Sequence, residues 1–330
     1  MAKIRDVARE AGVSIASVSR VLTGTRQVSN ETRIAVLAAA EKLGYRTNYL
    51  ASALRRQATR TLGMVIPRIA NPYFIALVQM IEESAQAQGY ELLLCDSTDD
   101  TDTERRRVRA LLSRQVEGII IIPCDEKGSA ETVREALREV PVVSLDRSIR
   151  GIAMDQICVD NRAGIIAIID HLAGKARRRL CFVGARQTVS TARERMEAYR
   201  EYVRELDPPS AGRIWLGEFT VEWGEQAADR ILADGSPPDA VVCGNDLIAA
   251  GIIRTLRARG LDVPGDIAVT GFDDIELCRF VEPAITTVHQ PLSDIGAEGA
   301  RKLFARIEGT SAPPARVRIV PRLVVRASSG

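Results

Sequence analysis

The chain has 330 residues, 46% hydrophobic and 27% charged, as in a globular protein of about two domains. No apolar run is long enough to cross a bilayer and "MAKIRDVARE" carries no apolar leader core, so neither a membrane span nor a signal peptide is expected. The formal charge of +2 hides an asymmetry: residues 1–60 hold 11 Lys/Arg against 4 Asp/Glu, so a small basic head, and not the mildly acidic remainder, is suited to approach a polyanion.

The head reads as three short helices. Ile4, Val7, Ala8 and Ala11 make one apolar stripe at helical spacing, and Gly12 ends it. Ser14 is a good N-cap for a second helix, with Gly24 as its stop, and a third opens around Ser29–Glu31 and runs to Gly44. Helix, Gly-containing turn, helix is the helix-turn-helix pattern, whose second helix is free to enter a major groove. On a helical wheel Val18, Val21 and Leu22 face inward with Ile15 at the edge, while Ala16, Ser19 and Arg20 face out. Arg20 can contact guanine in a bidentate manner, and Ala16 or Ile15 can touch a thymine methyl. A plain three-helix bundle with a bare outer face is the alternative.

Residues 45–60, "YRTNYLASALRRQATR", suit a short helix capped by Asn48 or a flexible linker, and composition alone favours the linker. Leu54 among Arg55, Arg56 and Arg60 also has the profile of a minor-groove wedge. From residue 61 apolar runs alternate with helical stretches: "LGMVIP", "YELLLCDS", "GIIIIP", "VPVVSLD", "ICVDN", "RLCFVG", "RIWLG", "DAVVCGND" and "DIAVTGFDD". Each is expected to be followed by a helix of ten or more residues until the last. This is the pattern of an α/β protein with two doubly wound parallel sheets, divided near residue 160. "RVRIV" and "RLVVR" add two strands around Pro321.

Polar residues recur at the carboxyl ends of these strands: Asp96, Asp146, Asp160, Asn245, Asp246, Asp273 and Asp274. Ligands of open α/β sheets bind in the crevice at those ends, and carboxylates with an amide suit a hydroxyl-rich small molecule. Some of these residues must instead cap the following helices. Asp146 and Asp273 are the least easily explained as caps. Cys95, Cys124, Cys158, Cys181, Cys243 and Cys278 form no CxxC pair, so neither a metal site nor a disulfide framework is implied and a reduced, cytoplasmic protein is expected.

In "IRDVAREAGVSIASVSRVLTG", "VSNETRIAVLAAAEKLGY", "NYLASALR", "LGMVIPRIANPYF" and "GNDLIAAG…GFDD" the chain resembles the lactose/galactose repressor (LacI/GalR) family over essentially its whole length. The resemblance implies a helix-turn-helix head at 1–46, a hinge helix and linker at 47–60, and a periplasmic-binding-protein-like core at 61–330. The core's halves would be about 61–160 plus 291–320 and 161–290 plus 321–330. It implies base contacts by Ile15, Ala16 and Arg20, with Ser14, Ser17 and Ser19 at phosphates or caps. Asn48, Ala51, Leu54 and Arg55 fall in the hinge, with Leu54 inserted in the minor groove in place of the plain linker favoured above. The implied effector contacts are Tyr73, Phe74, Asp146, Arg193, Arg195, Phe219, Asn245, Asp273 and Gln290.

The implied partners are pseudo-palindromic operator double-stranded DNA, a second copy of the chain and a small effector, a sugar or sugar acid, acting as inducer. No cofactor and no metal is implied. The chain departs from the family at Thr47, where Pro is usual, at Ala198 for a small Gly, and at Trp223, which is expected to reshape the cleft rim. No heptad segment trails "VVRASSG", so a dimer is expected and not a tetramer. Induction leaves one alternative open, because a purine-type co-repressor also uses a Tyr-Phe pair. An α/β enzyme is the other class considered, but His171 and His289 are the only histidines and no catalytic constellation surrounds them. His171 reads as structural, and His289 as a neighbour of the cleft.

Overall fold

A computed structural model of the chain describes residues 2–23, 28–45, 58–206, 212–310 and 312–330. They form two compact units, Met1–Thr59 and Arg60–Gly330.

The first unit contains α1 (Ile4–Glu10), α2 (Ile15–Thr23) and α3 (Asn30–Lys42). Val7, Ala8, Val18, Val36, Ala39 and Ala40 are buried at their junction. Gly12 follows α1 with φ +63°, a left-handed turn in which a Cβ would be strained. The Ser14 hydroxyl accepts the Ser17 N–H at 3.1 Å and starts α2; Ser29 does the same for α3 through Thr32 N–H. The hinge residues Asn48, Ala51, Leu54 and Arg55, and Gly24, lie outside the described residues.

The second unit is built on two parallel sheets. Its first six elements are β1 (Thr61–Ile66), α4 (Pro72–Ala87), β2 (Glu91–Asp96), α5 (Thr101–Ser113), β3 (Gly118–Ile121) and α6 (Ala130–Leu137). Then come β4 (Val142–Leu145), β5 (Asp155–Val159), α7 (Asn161–Gly174), β6 (Leu180–Ala185), α8 (Ser190–Tyr202) and β7 (Arg213–Gly217). The chain continues through α9 (Val221–Ala233), β8 (Ala240–Cys243), α10 (Asp246–Ala258), β9 (Ala268–Thr270) and β10 (Thr287–His289). It ends with α11 (Leu292–Ile307), β11 (Arg316–Ile319) and β12 (Arg322–Val324).

The six-stranded sheet has the order β11-β5-β4-β3-β1-β2, the four-stranded sheet β7-β6-β8-β9, and β10 pairs antiparallel with β12. The central strands are buried continuously, as a sheet covered on both faces requires, and successive residues enter opposite clusters. Met64, Ile120 and Val143 join one apolar cluster, while Val65, Ile119, Ile121 and Val142 join the other. Among the described residues no helix is long and apolar enough to cross a membrane, and all six cysteines are free thiols.

The strand–helix alternation is less regular than the sequence suggested. Helix α6 has eight residues, and no helix separates β4 from β5. Residues 146–154 return to the start of the parallel β5 as irregular chain whose Ile149 and Met154 fill the second apolar cluster in a helix's place. Helices α9 and α10 approach so closely that a Cβ on Gly224 would lie 2.3 Å from the Ile248 carbonyl oxygen, and one on Gly251 2.1 Å from that of Val221.

Candidate functional site

The carboxyl ends of the two sheets face one another across a small polar cavity. Asn71, Tyr73, Phe74, Asp146, Arg147, Thr191, Arg195, Phe219, Asn245 and Asp273 line a cavity of about 20 Å³. That is room for about one water molecule, far below the roughly 300–1,000 Å³ of a site for a drug-sized molecule.

Each cleft side chain is placed by an element end. Tyr73 and Phe74 sit in the first turn of α4, which Asn71 caps through Tyr73 N–H at 3.1 Å, and their rings meet edge to face at 5.4 Å. Asp146 and Asp273 follow β4 and β9 with φ of +61° and +119°, conformations a non-glycine residue holds only where its surroundings impose them. Asn245 caps α10 by accepting Ile248 N–H at 3.0 Å, which leaves its NH₂ end for a ligand. Arg195, on α8, is 3% exposed; its Nε donates to Asn161 Oδ1 at 2.8 Å and its Nη1 to the Gly244 carbonyl at 2.7 Å. The guanidinium lies 3.6 Å from the centre of the Phe272 ring, and Asp273 Oδ1 is its counter-ion at 3.5 Å.

A chain of short contacts crosses the cleft. The Tyr73 hydroxyl lies 3.0 Å from Asp146 Oδ1 and 3.0 Å from Gln290 Oε1, and Gln290 Nε2 lies 2.7 Å from Asp273 Oδ1. Burial pushes the Asp146 carboxyl up, against the lowering effect of Arg195 and Arg147. Burial pushes Asp273 well up; Arg195 opposes this, and the charges of Asp246 and Asp146 add to it. Burial also raises the Tyr73 phenol well above its ordinary value, with Asp146 and Asp273 adding to the effect, so Tyr73 is a proton donor here.

Not every residue expected here arrives. Arg193 lies outside the cavity: its guanidinium forks onto Glu126, both contacts 3.0 Å, and reaches Glu197 at 2.6 Å. The reason is helical geometry, because residues two apart on α8 point about 200° from each other. Thr191, four residues before Arg195, shares its face and lines the cleft instead. Gln290 is fully buried behind the cavity wall. Trp223 does not reshape the rim; it is buried over Gly217, with its indole N–H on the Gly184 carbonyl at 3.0 Å.

Among the strand-end acids, Asp160 caps α7, Asp96 accepts the backbone N–H of Ile69 and Thr98, and Asp246 holds the Thr287 hydroxyl and Ile275 N–H. Asp274 pairs with His289 and Arg326. His171 meets the Ser329 hydroxyl at 2.8 Å, away from the cavity. Among the described residues no group of His, Cys, Asp or Glu is placed to hold a metal ion.

Arg147, which the sequence reading passed over, closes the cleft beside Phe74, with its guanidinium 5.4 Å from that ring and paired to Asp99 at 3.0 Å. Asn71 was hidden by its position as a cap before Pro72.

On the head, α2 turns Val18 inward at 0% exposure and presents Ile15, 43% exposed, with Ala16 and Arg20 outward. Ser17 and Ser19 are half-buried, and Ser14 and Ser17 share a hydroxyl–hydroxyl contact of 2.9 Å. Apart from Ile15 and one guanidinium the outer face is small-residued, a shape that lets a helix lie deep in a groove.

Residues 3–48 match the description "Bacterial regulatory proteins, lacI family", and residues 169–329 match "Periplasmic binding protein-like domain". The chain is 32% identical to the HTH-type transcriptional repressor PurR of Mannheimia succiniciproducens, covering 99% of this chain and 98% of that one. It is also 32% identical to the ribose operon repressor of Escherichia coli K12, over all of both chains. Its fold superposes on the lac repressor dimer bound to operator and the anti-inducer ONPF with a TM-score of 0.89, at 26% identity and 99% coverage of each chain.

Proposed function

Because the chain belongs to the lacI family of bacterial regulatory proteins, DNA-binding transcriptional repressors and not enzymes, we propose that it is a cytoplasmic, homodimeric repressor whose operator affinity is set by a small sugar-type effector acting as inducer. In this reading residues 1–46 are the DNA-binding head, 47–60 the hinge and 61–330 the effector-binding core.

Ile15, Ala16 and Arg20 read base edges, and Ser14, Ser17 and Ser19 hold phosphates. Asn48, Ala51, Leu54 and Arg55 engage the minor groove at the centre of a pseudo-palindromic site. One recognition helix with a single Arg reads few bases, so pairing two heads on two half-sites supplies much of the specificity. Exposed apolar residues on the core, Ile69, Ile75 and Leu94 on one half and Leu277 and Phe280 on the other, suit burial against a second copy. The fold's likeness to the lac repressor dimer supports that assembly.

The observation that carries the effector assignment is the buried Arg195–Asp273 pair, wired through Gln290 and Tyr73 to Asp146, at the strand ends where the two sheets face each other. Bidentate guanidinium and carboxylate groups against aromatic walls are the means of gripping a hydroxyl-bearing ring. Arg193 would have favoured an acidic ligand, but Glu126 and Glu197 already neutralise it, so it adds no positive charge to the cavity.

A second reading, a purine co-repressor, draws on the Tyr73–Phe74 pair with Phe219 and on the PurR relative. The test is a thermal-shift screen of ribose, galactose, galacturonate and hypoxanthine, followed by operator binding with each ligand that raises Tm. Weakened operator binding with a sugar supports the proposal. Operator binding strengthened by hypoxanthine replaces it with co-repression. An inducer must also bind operator-bound protein more weakly by the same factor.

A further inference from the structure

The chain of contacts across the cleft contains more acceptors than hydrogens. Between Asp146, Tyr73, Gln290 and Asp273 there are three oxygen–oxygen or nitrogen–oxygen contacts, of 3.0, 3.0 and 2.7 Å, all among residues at most 6% exposed. Each contact needs one hydrogen. Tyr73 supplies one, and the Gln290 amide supplies one, on the side to which its nitrogen points. Turning the amide over moves its hydrogen from one contact to another without adding any. The third hydrogen has to come from a carboxyl group, Asp146 with the amide as placed and Asp273 with the amide reversed. Leaving a buried pair of acceptors face to face would carry the full desolvation penalty.

We infer that the ligand-free cleft holds one proton on the Asp146–Asp273 pair, which makes the cavity electrically neutral and selects an uncharged polyhydroxyl ligand that displaces the proton on binding. The charges facing the pair agree. Arg195 on α8 offsets the one remaining carboxylate, and Arg147 is matched by Asp99. Glu194 on α8 is held by Arg316, Asp246 on α10 accepts from Thr287 and Ile275, and Asp274 is held by His289 and Arg326. Burial pushes both carboxyls of the pair up, in the direction of protonation.

Ligand hydroxyls can donate to both carboxylates, so the stored proton becomes redundant and passes to the buffer. Two carboxylates against Arg195 then leave the occupied site negative, which repels a sugar acid or phosphate. While the free pair stays protonated, affinity for a neutral sugar rises tenfold per pH unit, because each complex formed releases one proton.

This inference rests on the effector reading above for its ligand arm, but its first arm needs no ligand. Infrared spectra of the full chain at neutral pH should show the carbonyl stretch of a protonated carboxylic acid that disappears in Tyr73→Phe, where only the Gln290–Asp273 contact remains. The same loss in Asp146→Asn, whose amide donates to Tyr73, serves if the first variant folds poorly. A band absent from the wild type, or unchanged in both variants, overturns the inference.

Calorimetry with ribose and galactose in buffers of different ionisation enthalpy should then report about one proton released per site. Binding without proton release, or galacturonate binding as tightly as the neutral sugars, also overturns it. If neither sugar binds while the infrared band behaves as stated, the effector reading fails and the stored proton stands.

Discussion

Replacing Arg195 with Met keeps an unbranched but shorter stem and removes the guanidinium paired with Asp273. Lost with it are the donations to Asn161 Oδ1 and the Gly244 carbonyl, at 2.8 and 2.7 Å, and the 3.6 Å stack on Phe272. Removing one partner of a buried ion pair costs about 3–5 kcal/mol. Here the cost depends on pH. Asp273 is raised by burial and by Asp246 and Asp146, and Arg195 is the main influence holding it down, so without Arg195 it takes up a proton more readily.

A carboxyl whose native pKa lies above its unfolded value binds more protons in the native state, so its contribution falls as pH rises through that window. The deficit of the variant is therefore smallest in acid and grows toward neutral pH, by at most about 1.4 kcal/mol per pH unit. Both tryptophans, Trp215 in β7 and Trp223 in α9, belong to the same half of the core as Arg195, so their fluorescence follows the unit that is perturbed. Urea unfolding of wild type and variant at pH 5 and pH 8 measures the difference directly. A loss below about 1 kcal/mol, or the same loss at both pH values, would show that Asp273 does not depend on Arg195 as its counter-ion.

Arg20→Ala should lower operator affinity by about 10- to 100-fold while leaving non-specific DNA binding nearly intact; an equal loss of both, in filter binding at fixed salt, assigns Arg20 to phosphate. Gly251→Ala places a methyl 2.1 Å from the Val221 carbonyl oxygen, a backbone atom that cannot swing aside, so α9 and α10 must separate. The expected cost is about 3 kcal/mol, read as a fall in thermal midpoint. Burial pushes the Asp155 carboxyl up, yet bonds from Arg306, Ala315 N–H and Lys302 bring it below the usual range. Its contribution is therefore present above the unfolded pKa and lost as pH falls through the native one. Asp155→Asn should lower stability at neutral pH and flatten the acid limb of the stability curve, which urea midpoints from pH 3 to 7 would reveal.

The strands were legible because most of the apolar runs from "LGMVIP" to "DIAVTGFDD" are buried on both faces, which needs continuous apolar sequence, while β2 and β7, at the sheet edges, are only partly buried. The β4–β5 return was not, since "DRSIRGIAM" is irregular chain whose two apolar anchors have no periodicity to read. On α8 the needed information was present: Thr191 and Arg195 are one helical turn apart, and Arg193 sits between them on the far side. Of the ion pairs that hold Arg193, the one with Glu197 lies one helical turn on and is readable, but the one with Glu126, 67 positions earlier, has no local pattern. Gln290 is a similar case. Its partners Tyr73 and Asp273 lie 217 and 17 positions away, and only the folded chain shows that it connects them. Trp223 read as a rim residue because the absent Cβ of Gly217, which makes room for its ring, is on another element.

The same network constrains how an effector can act. The two halves of the core are joined across the cleft by Tyr73 to Gln290, Ser148 N–H to Ser190 Oγ at 2.8 Å, Arg193 to Glu126, and Arg186 to the Asp99 carbonyl at 3.0 Å. A ligand that added contacts equally to open and closed forms would shift nothing, however tightly it bound. It has to exchange some of these bonds for its own, and the difference between the two sets is the only free energy available to change operator affinity. Net hydrogen bonds are worth about 1 kcal/mol each, or about 1.5–3 kcal/mol where one group is charged. Couplings between distant sites are typically about 1–3 kcal/mol. Exchange of one or two of the cross-cleft bonds is therefore sufficient, and of the residues that make them Tyr73 is the one that lines the cavity.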